Sequence, residues 1–213
     1  MYDPEKYAAV ADNFVYVHRA LRRDLARIIE GGRELFESDF PRFARILAKH
    51  TELEDVLFFP ALEERAPGST QMTTDPHQEI EALVESLLAD SSGEDLEERL
   101  RALQELLLAH LAEEEELVMP AMMEHFEAAE IWALDGQIIE HCAPEFMQEM
   151  LPWWFRHIDA EDRVCVAQNM SVGVPAEFLP VLCQWIAIGL EESEWHELTE
   201  KVPAFRELVA GSG

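Results

Sequence analysis

Apolar and polar residues follow one another along this chain with the period of a helix. Apolar positions recur at intervals of three and four, and stretches with the two-residue alternation of a strand are nearly absent. Gly31-Gly32 closes the first apolar stretch, and Asp75-Pro76 places a capping residue before a proline at the start of the third. The pattern predicts helices over about 4–30, 38–65, from Asp75 to a break at Ser91–Gly93, and 94–125.

Four helices of this length joined by short loops predict an all-α fold, an up-down-up-down four-helix bundle. Residues three and four apart share one face of a helix, so each helix has an inner stripe, and each stripe contains one histidine. The four histidines would therefore meet in the bundle core. The predicted stripes are Ala11, Phe14, His18, Leu21, Leu25 and Ile28; Phe43, Ile46, His50, Glu54, Leu57 and Ala61; His77, Ile80, Val84 and Leu87; and Leu103, Leu107, His110, Glu114, Leu117 and Ala121.

The second and fourth helices contain matching motifs, HTELEDVLFFP at 50–60 and HLAEEEELVMP at 110–120. The histidine, the glutamate at the fourth position after it and the closing proline all recur at one and the same interval. His18 and His77 are separated by that interval less one position. This spacing predicts a duplicated helix pair with an approximate two-fold axis, which would place two equivalent half-sites face to face.

The chain after the bundle has a different and shorter period. Phe126, Ile158 and Leu190 are evenly spaced, and each is followed by an acidic residue and by a second one three positions later. That arrangement resembles a capping box with an apolar residue in front of it. We predict a bundle domain over 1–125 and a C-terminal extension of helical hairpins over 126–213. The extension's tryptophans, which are Trp153, Trp154, Trp185 and Trp195, form either a partner surface or, as we favour, a second helical core.

Charge and cysteine content exclude several classes of function. The 213 residues include 44 acidic and 16 basic side chains, for a net charge of −28, which disfavours binding to nucleic acid or anionic membranes. The acidity serves solubility first, and drawing in cations is an additional role it could play. Cys142, Cys165 and Cys183 are widely spaced and form no CxxC motif, which favours a reducing cytoplasm. We see no signal peptide and no apolar run that would span a bilayer.

A histidine followed by Glu at the fourth position is weak evidence in so acidic a chain, because six of the eight histidines have it. The combination is stronger: four inward histidines and two inward carboxylates are costly to bury unpaired, and no Lys or Arg lies on the predicted stripes. We therefore favour a metal site over a dry polar core. The predicted ligands are His18, His50, Glu54, His77, His110 and Glu114.

Other candidates for the site are weaker. Glu81, at the fourth position after His77, is either a third carboxylate or simply exposed. The remaining histidines, which we predict to be surface or capping residues, are His125, His141, His157 and His196. Imidazole and carboxylate ligands without thiolate suit iron, manganese or zinc, and two metals bridged by two glutamates suit iron best.

The order of these residues resembles the hemerythrin-like (HHE cation-binding) family over about residues 8–125. The resemblance implies a four-helix bundle with two iron ions, Fe²⁺ or Fe³⁺, joined by an oxo or hydroxo bridge. It also implies that His18 and His50 bind one iron, that His77 and His110 bind the other, and that Glu54 and Glu114 bridge them. The tail sequence EAAEIWALDGQIIEHCAPEFMQEMLPWW is similar to the segment that follows hemerythrin domains in plant iron-regulated ubiquitin ligases and in actinobacterial relatives.

The chain departs from the oxygen carriers of that family. Carriers have a second histidine on the third helix, where this chain has Thr73 and Glu81 around His77, and their second bridge is an Asp at the fifth position. Fewer imidazoles leave open metal positions, which favour inner-sphere chemistry with dioxygen or peroxide over reversible carriage.

We therefore expect a cytoplasmic non-haem di-iron protein that binds dioxygen or peroxide in a pocket lined by Phe14, Leu57, Leu107 and Leu117. Catalytic peroxide decomposition or oxidase activity stays open. The alternative is an iron or oxygen sensor whose bundle responds to metal occupancy and whose tail contacts a protein partner or a second copy. Simple iron storage is a third function, but no mineral cavity is indicated.

Overall fold

The computed structural model describes the backbone of residues 12–90 and 95–210, and side chains within 14–70, 76–90 and 95–206. Within these ranges the chain forms helices and turns and no strand, which confirms the all-α prediction. The predicted start of the first helix, the stripe position Ala11, the Thr73 side chain and the break at Ser91–Gly93 lie outside what is described.

The first part of the chain forms four long helical segments, two of which contain a π-helical turn. The first π turn is Glu54–Phe58 and the second is Glu114–Val118. In chain order the α-helices are α1 Asp12–Glu30, α2 Gly32–Leu53, α3 Phe59–Arg65, α4 Gln71–Ala89, α5 Leu96–Glu113 and α6 Met119–His125.

Three pairs of helices follow after Phe126. They are α7 Ala128–His141, α8 Pro144–His157, α9 Ala160–Gly173, α10 Leu179–Gly189, α11 Glu192–Lys201 and α12 Pro203–Ala210.

Two of the predicted helix starts are wrong. α1 ends before Gly31 as predicted, but α2 already begins at Gly32. Gly32 has a φ of +64°, which glycine adopts without steric cost, so a single turn connects the two helices where we predicted a longer loop. α4 begins at Gln71 and holds Pro76 inside it, although Asp75-Pro76 predicted the start. Glu63 explains the earlier start, because it accepts hydrogen bonds from the Gly68 amide (2.5 Å) and the Thr70 hydroxyl (3.0 Å) and so completes the turn by residue 70.

The chain divides into two compact units. The first is Leu21–Phe126, and the second combines the described part of α1 up to Ala20 with the chain from Glu127 onward. Our domain division at residues 125 and 126 stays a prediction, since the units also divide α1.

The first unit contains the bundle. α4 packs against both α5 and α2, and α3 packs against α6. At the ends of α3 and α6 the Arg65 guanidinium donates to the His125 carbonyl (2.9 Å) and lies 4.0 Å from the centre of the Phe126 ring. The second and fourth long segments therefore end at the same end of the unit, as up-down-up-down topology requires.

Ion pairs join α1 to α2 within the first unit. Asp24 of α1 is fully buried and accepts hydrogen bonds from Arg27 (2.6 Å), while Arg42 of α2 lies 3.9 Å away. Arg27 also donates to Asp39 (2.5 Å). A buried carboxylate is tolerated where it is paired in this way.

The even spacing of Phe126, Ile158 and Leu190 marks the start of each helical hairpin in the second unit. Glu127 and Glu191 form capping boxes with Glu130 and Glu194, in which each side chain bonds the other residue's backbone amide. Asp159 accepts a hydrogen bond from the Asp162 amide (3.0 Å) at the start of α9. The predicted hairpins are therefore confirmed.

The hairpins stack in two layers. α7, α9 and α11 pack in sequence in one layer, and α8, α10 and α12 pack in sequence in the other. Arg163 of α9 connects all three hairpins, because it donates hydrogen bonds to the Phe155 carbonyl of α8 (2.7 Å) and to the Glu194 carboxylate of α11 (2.8 Å). This arrangement is typical of α-solenoids, in which each repeat buries its apolar face against its neighbour.

Two of the four tryptophans named above lie in the interior of that stack. Trp153 and Trp154 are buried, which confirms the second core for these two, whereas Trp185 and Trp195 are only partly covered. Across the described residues, no helix combines the length and the apolar content needed to cross a membrane.

Gly189 sets the distance between α8 and α10. A Cβ atom at this position would lie 2.4 Å from the Pro152 Cα and 2.5 Å from its carbonyl oxygen, and backbone atoms cannot rotate away. We expect Gly189→Ala to destabilise the second unit by about 1–3 kcal/mol, the usual range for overpacking. All five tryptophans lie after residue 126, so urea denaturation followed by tryptophan fluorescence reports on this unit.

Gly136→Ala is the matched control. Gly136 lies within α7, and a Cβ there meets nothing within 4 Å, so alanine should leave stability equal or raise it through helix propensity. An equal response of the two variants would contradict the close approach of α8 and α10.

Candidate metal centre

Each π turn begins at a glutamate predicted to bind metal. The Phe59 amide bonds to the Glu54 carbonyl, and the Met119 amide bonds to the Glu114 carbonyl, each at the fifth position back in the chain. A π turn adds one residue to a helix and is frequently found at functional sites. The repeat that relates the two motifs is thus retained in the backbone as well as in the side chains.

The extra residue moves the buried face of the helix that follows. Leu117, predicted to line the core and the pocket, is 45% exposed, and the neighbouring Val118 is buried at 3%. In the second helix the interior position after the turn is Leu62, while the predicted Ala61 is only half-buried. The prediction for Leu117 is wrong because a stripe drawn with one constant period cannot include a π turn.

Two histidine–glutamate pairs with the same geometry face the interior of the first unit. His50 Nε2 lies 3.1 Å from Glu54 Oε1, and His110 Nε2 lies 3.2 Å from Glu114 Oε1. Glu54 is 1% exposed and Glu114 is 2% exposed. Two carboxylates this deeply buried require positive charge nearby.

His77 approaches both carboxylates from α4. Its Nε2 lies 3.6 Å from Glu54 Oε2 and 3.6 Å from Glu114 Oε1, and its Nδ1 lies 3.0 Å from Asp55 Oδ1. Burial acts to lower the pKa of His77, but hydrogen bonding to Glu114 and the charges of Glu54, Glu114 and Asp55 outweigh it and raise the pKa above the ordinary 6.5. In the metal-free protein His77 therefore holds its proton more firmly than a free histidine, and a metal ion would have to displace that proton.

The donor atoms fit a metal site. Glu54, His77, His110 and Glu114 offer ligand atoms within 4.8 Å of one another, and His50 makes a group of the same kind with both glutamates. Ligands about 2.1 Å from one ion and at right angles to each other are about 3 Å apart, close to the nitrogen–oxygen distances seen here. The two groups share both carboxylates, so five side chains form one continuous cluster.

Aromatic and apolar side chains surround the imidazoles. The Phe59 ring stacks on His77 with centroids 5.6 Å apart and planes 13° apart, and His110 meets His77 edge-on at 4.6 Å. Leu57 and Leu107 are buried as predicted. This packing fixes the plane of the His77 ring and covers it from solvent.

His18 lies on the part of α1 that belongs to the second unit. Its side chain is fully buried, and the half-buried Phe14 ring lies nearly perpendicular to the imidazole, with centroids 6.4 Å apart. Its role as a ligand stays a prediction.

The acidic and histidine side chains outside the predicted ligand set differ in their exposure to solvent. Glu81 is exposed and belongs to neither group of potential ligands, and His125, His141 and His196 are exposed as predicted. The prediction for His157 is wrong: it is 6% exposed, and its Nδ1 donates to the Trp153 carbonyl (2.7 Å) one turn back, within the helical interior that the tryptophans form.

Sequence reasoning missed Asp55. It lies beside Glu54 in a run of acidic residues, and nothing in its spacing distinguishes it from a solvated side chain. Only the fold shows its contact with His77, which follows it by 22 residues.

Comparison with known proteins extends these observations. Two zinc finger proteins of the BRUTUS-like type from Arabidopsis thaliana are similar to the chain. One is 23% identical over 200 residues, covering 81% of this chain and 16% of its own length, and the other is 25% identical over 186 residues, covering 77% and 15%. The chain thus spans about a sixth of the length of these curated relatives, and no solved structure matches it.

The family match agrees with the site. The model of the hemerythrin HHE cation-binding domain matches residues 9–122, just over half of the chain and the whole run of predicted ligands. The relatives align with a larger share of the chain than this, so their likeness continues into the C-terminal extension, as the tail sequence predicted. With its histidines and glutamates converging in a helical bundle, the chain belongs to the hemerythrin HHE cation-binding domain family.

Proposed function

We propose that this protein is a non-haem di-iron protein that binds dioxygen or peroxide. The observation that carries the proposal is the sharing of Glu54 and Glu114 by two groups of potential ligands. A single metal ion would need one such group. Two groups with both carboxylates in common are what two adjacent ions bridged by two glutamates require.

The chemistry of the donors supports iron. The cluster offers imidazole nitrogen and carboxylate oxygen without thiolate, a set that suits iron, manganese and zinc, and family membership implies a cation. Of these metals zinc has no redox chemistry, so a bound pair that reacts with dioxygen or peroxide would be iron or manganese, and family membership favours iron.

The proposed ligand assignment follows the repeat. His77 and His110 serve one ion, His50 and His18 serve the other, and Glu54 and Glu114 bridge them. The assignment of His18 rests on its place in the repeat and within the matched family residues. Two imidazoles for each ion leave positions for a small ligand, in contrast to a site filled by protein side chains.

The protein's own contribution is to hold the ligands and to exclude water. The π turns orient the carboxylates inward, Phe59 covers His77, and Leu57 and Leu107 close the interior around the imidazoles. In such a covered site the charges of Glu54 and Glu114 act more strongly on a cation than they would in water.

The test compares two His-xxx-Glu pairs with different burial. His50→Ala and Glu54→Ala remove a buried pair, whereas His196→Ala and Glu200→Ala remove an exposed pair with a similar distance of 3.2 Å. We expect two irons per chain in the wild type and in the exposed-pair variants, and at most one in the buried-pair variants, because each removed ligand leaves a bridge or an ion incompletely held. Iron analysis and the visible spectrum after exposure to air measure this.

Purified wild-type protein that contains no iron after anaerobic loading would refute the proposal. The same samples decide whether the centre is catalytic. Oxygen evolution from peroxide that disappears in Glu54→Ala and persists in Glu200→Ala would identify an enzyme.

A sensor function is the second candidate, and the close burial of Glu54 and Glu114 favours it. Without metal, the two carboxylates lie within 4.8 Å of the His77 and His110 ligand atoms in one group and of the His50 ligand atom in the other. Such a group is stable only when its charges balance, so the stability of the first unit should follow metal occupancy. On this proposal the hairpin unit contacts a protein partner or a second copy of the chain in the cytoplasm.

The sensor function can be tested by following the unfolding of the two units with different signals. We expect anaerobic Fe²⁺ to raise the unfolding midpoint seen by far-ultraviolet circular dichroism by more than about 10 °C. Ligand at a hundred times its dissociation constant adds about 2.7 kcal/mol, and each kcal/mol shifts the midpoint of a unit of this size by about 4–8 °C. Tryptophan fluorescence reports on the second unit alone.

The pattern of the two midpoints distinguishes the outcomes. A shift of both unfolding midpoints, by circular dichroism and by tryptophan fluorescence, supports an effect of metal binding on the hairpins. A shift confined to circular dichroism, with unchanged fluorescence and unchanged protease cleavage after residue 126, would count against a sensor and leave the di-iron proposal intact.

A further inference from the structure

The predicted ligand His18 lies on a segment of α1 that is buried on every side. Successive residues of an α-helix differ by about 100° in direction, so four consecutive residues point around its whole circumference. By its contacts this segment belongs to the second unit, together with the hairpins. The contacts that hold the segment therefore determine where His18 points. Its buried residues are Val15, Tyr16, Val17, His18 and Ala20.

Arg19, the residue directly after His18, connects this segment to the second hairpin. Its guanidinium donates a hydrogen bond to Asp162 Oδ1 of α9 and forms an ion pair with that carboxylate. The same guanidinium lies 5.3 Å from the centre of the Tyr16 ring. The Asp162 side chain is 8% exposed and the Arg19 side chain 41%, so a partly exposed cation of α1 is held by a carboxylate in the interior of the second unit.

A contact at Arg19 restrains the rotation of α1 about its own axis. His18 and Arg19 are neighbours in one helix, so their directions differ by about 100° and their heights by about 1.5 Å. While Arg19 is paired with α9, His18 cannot turn about the helix axis without breaking that ion pair. Asp162 therefore acts on the direction of His18 through the backbone of α1.

The hairpin repeat offers an acidic residue in the matching position of another hairpin. Asp162 is the third residue of α9, and Glu194 is the third residue of α11. Glu194 accepts a hydrogen bond from Arg163 NH1 at 2.8 Å, a contact between two hairpins. The repeat thus pairs an equivalent carboxylate with an arginine of α1 in one hairpin and with an arginine of α9 in the next.

We propose that Asp162 is a positioning residue for His18, so that the C-terminal extension holds one ligand of the metal centre in place. This inference rests on the proposed assignment of His18 to one of two metal ions. It gives the hairpin unit a function in metal binding. Through Arg19, the extension keeps the first helix in the rotation that binding by His18 requires.

The test titrates Fe²⁺ into the metal-free full chain under anaerobic conditions by calorimetry. His18→Ala, the reference, should weaken or abolish the binding of one of two ions. Asp162→Asn should weaken the same step by about 5–150-fold, the usual range of coupling between separate sites, and leave the other step unchanged. Glu194→Gln, the matched control, removes the equivalent charge but keeps a capping residue, and it should bind both ions as the wild type does.

Double variants connect the effect to Arg19 and His18. Arg19→Gln should weaken the same step as Asp162→Asn, and the two changes together should be no worse than either alone. Asp162→Asn should add nothing in the His18→Ala background, and Asp162→Glu, which keeps the carboxylate, should recover part of the lost affinity. Additive effects, wild-type affinity in Asp162→Asn, or an equal loss in Glu194→Gln would overturn the proposal.

Hydrogen exchange in the metal-free chain measures the restraint on α1 directly. Backbone amides of residues 15–20 should exchange faster in Asp162→Asn and in Arg19→Gln than in the wild type, and Glu194→Gln should match the wild type. Arg19→Gln alters a partly exposed side chain and so covers the case in which Asp162→Asn does not fold. Unchanged exchange in Arg19→Gln would overturn the proposal.

The titrations separate this proposal from the two-metal function. If the wild type binds a single Fe²⁺ that both His18→Ala and Asp162→Asn weaken, the two-metal function fails while the positioning role of Asp162 stands. Two ions bound as tightly in Asp162→Asn as in the wild type give the reverse result. A wild type that binds no Fe²⁺ overturns both.

Discussion

Two carboxylates and three imidazoles share the interior of the first unit, and their charge governs the structure around them. Glu54 and Glu114 have almost no contact with water, and the imidazole nitrogens of His50, His77 and His110 approach them within 3.1–3.6 Å. Leaving such groups uncompensated would cost several kcal/mol for each ion, comparable to the whole stability of a domain. A bound cation satisfies this constraint with the donors that are present.

The backbone is adapted to the same constraint. A regular helix that passed through Glu54 or Glu114 would continue its apolar face at positions such as Leu117, but the π turns change the register at each glutamate, so Val118 and Leu62 are buried. The helix thus has one register for its ligands and another for the packing that follows. Asp55 and Glu115, the second residues of the two π turns, contact His77 and Arg22 on neighbouring helices.

The fold class and the cluster within the first unit were predictable because they depend on spacing that local geometry preserves. Residues four apart share a face, and the repeat of the motif at His50 in the motif at His110 identified both histidine–glutamate pairs without any knowledge of the loops. The π turns were not predicted, because consecutive apolar residues follow each glutamate, at 56–59 and 117–119, and are compatible with either register of the helix. The contact of Asp55 with His77 and the burial of His157 depend on packing between distant segments. The start of α4 depended on Glu63, a single side chain that completes the turn before it.

The hairpins of the second unit begin alike and stack alike, and this uniformity has an evolutionary consequence. Each pair starts at an acidic cap, the caps follow one another at a constant interval, and each pair contacts the next through the same two layers. Gain or loss of one whole hairpin in descendants of such a gene would conserve every local contact except those at the new junction. Length variation among related chains should therefore occur in steps of one hairpin, while the bundle, whose two histidine–glutamate pairs converge on one cluster, cannot change length in this way.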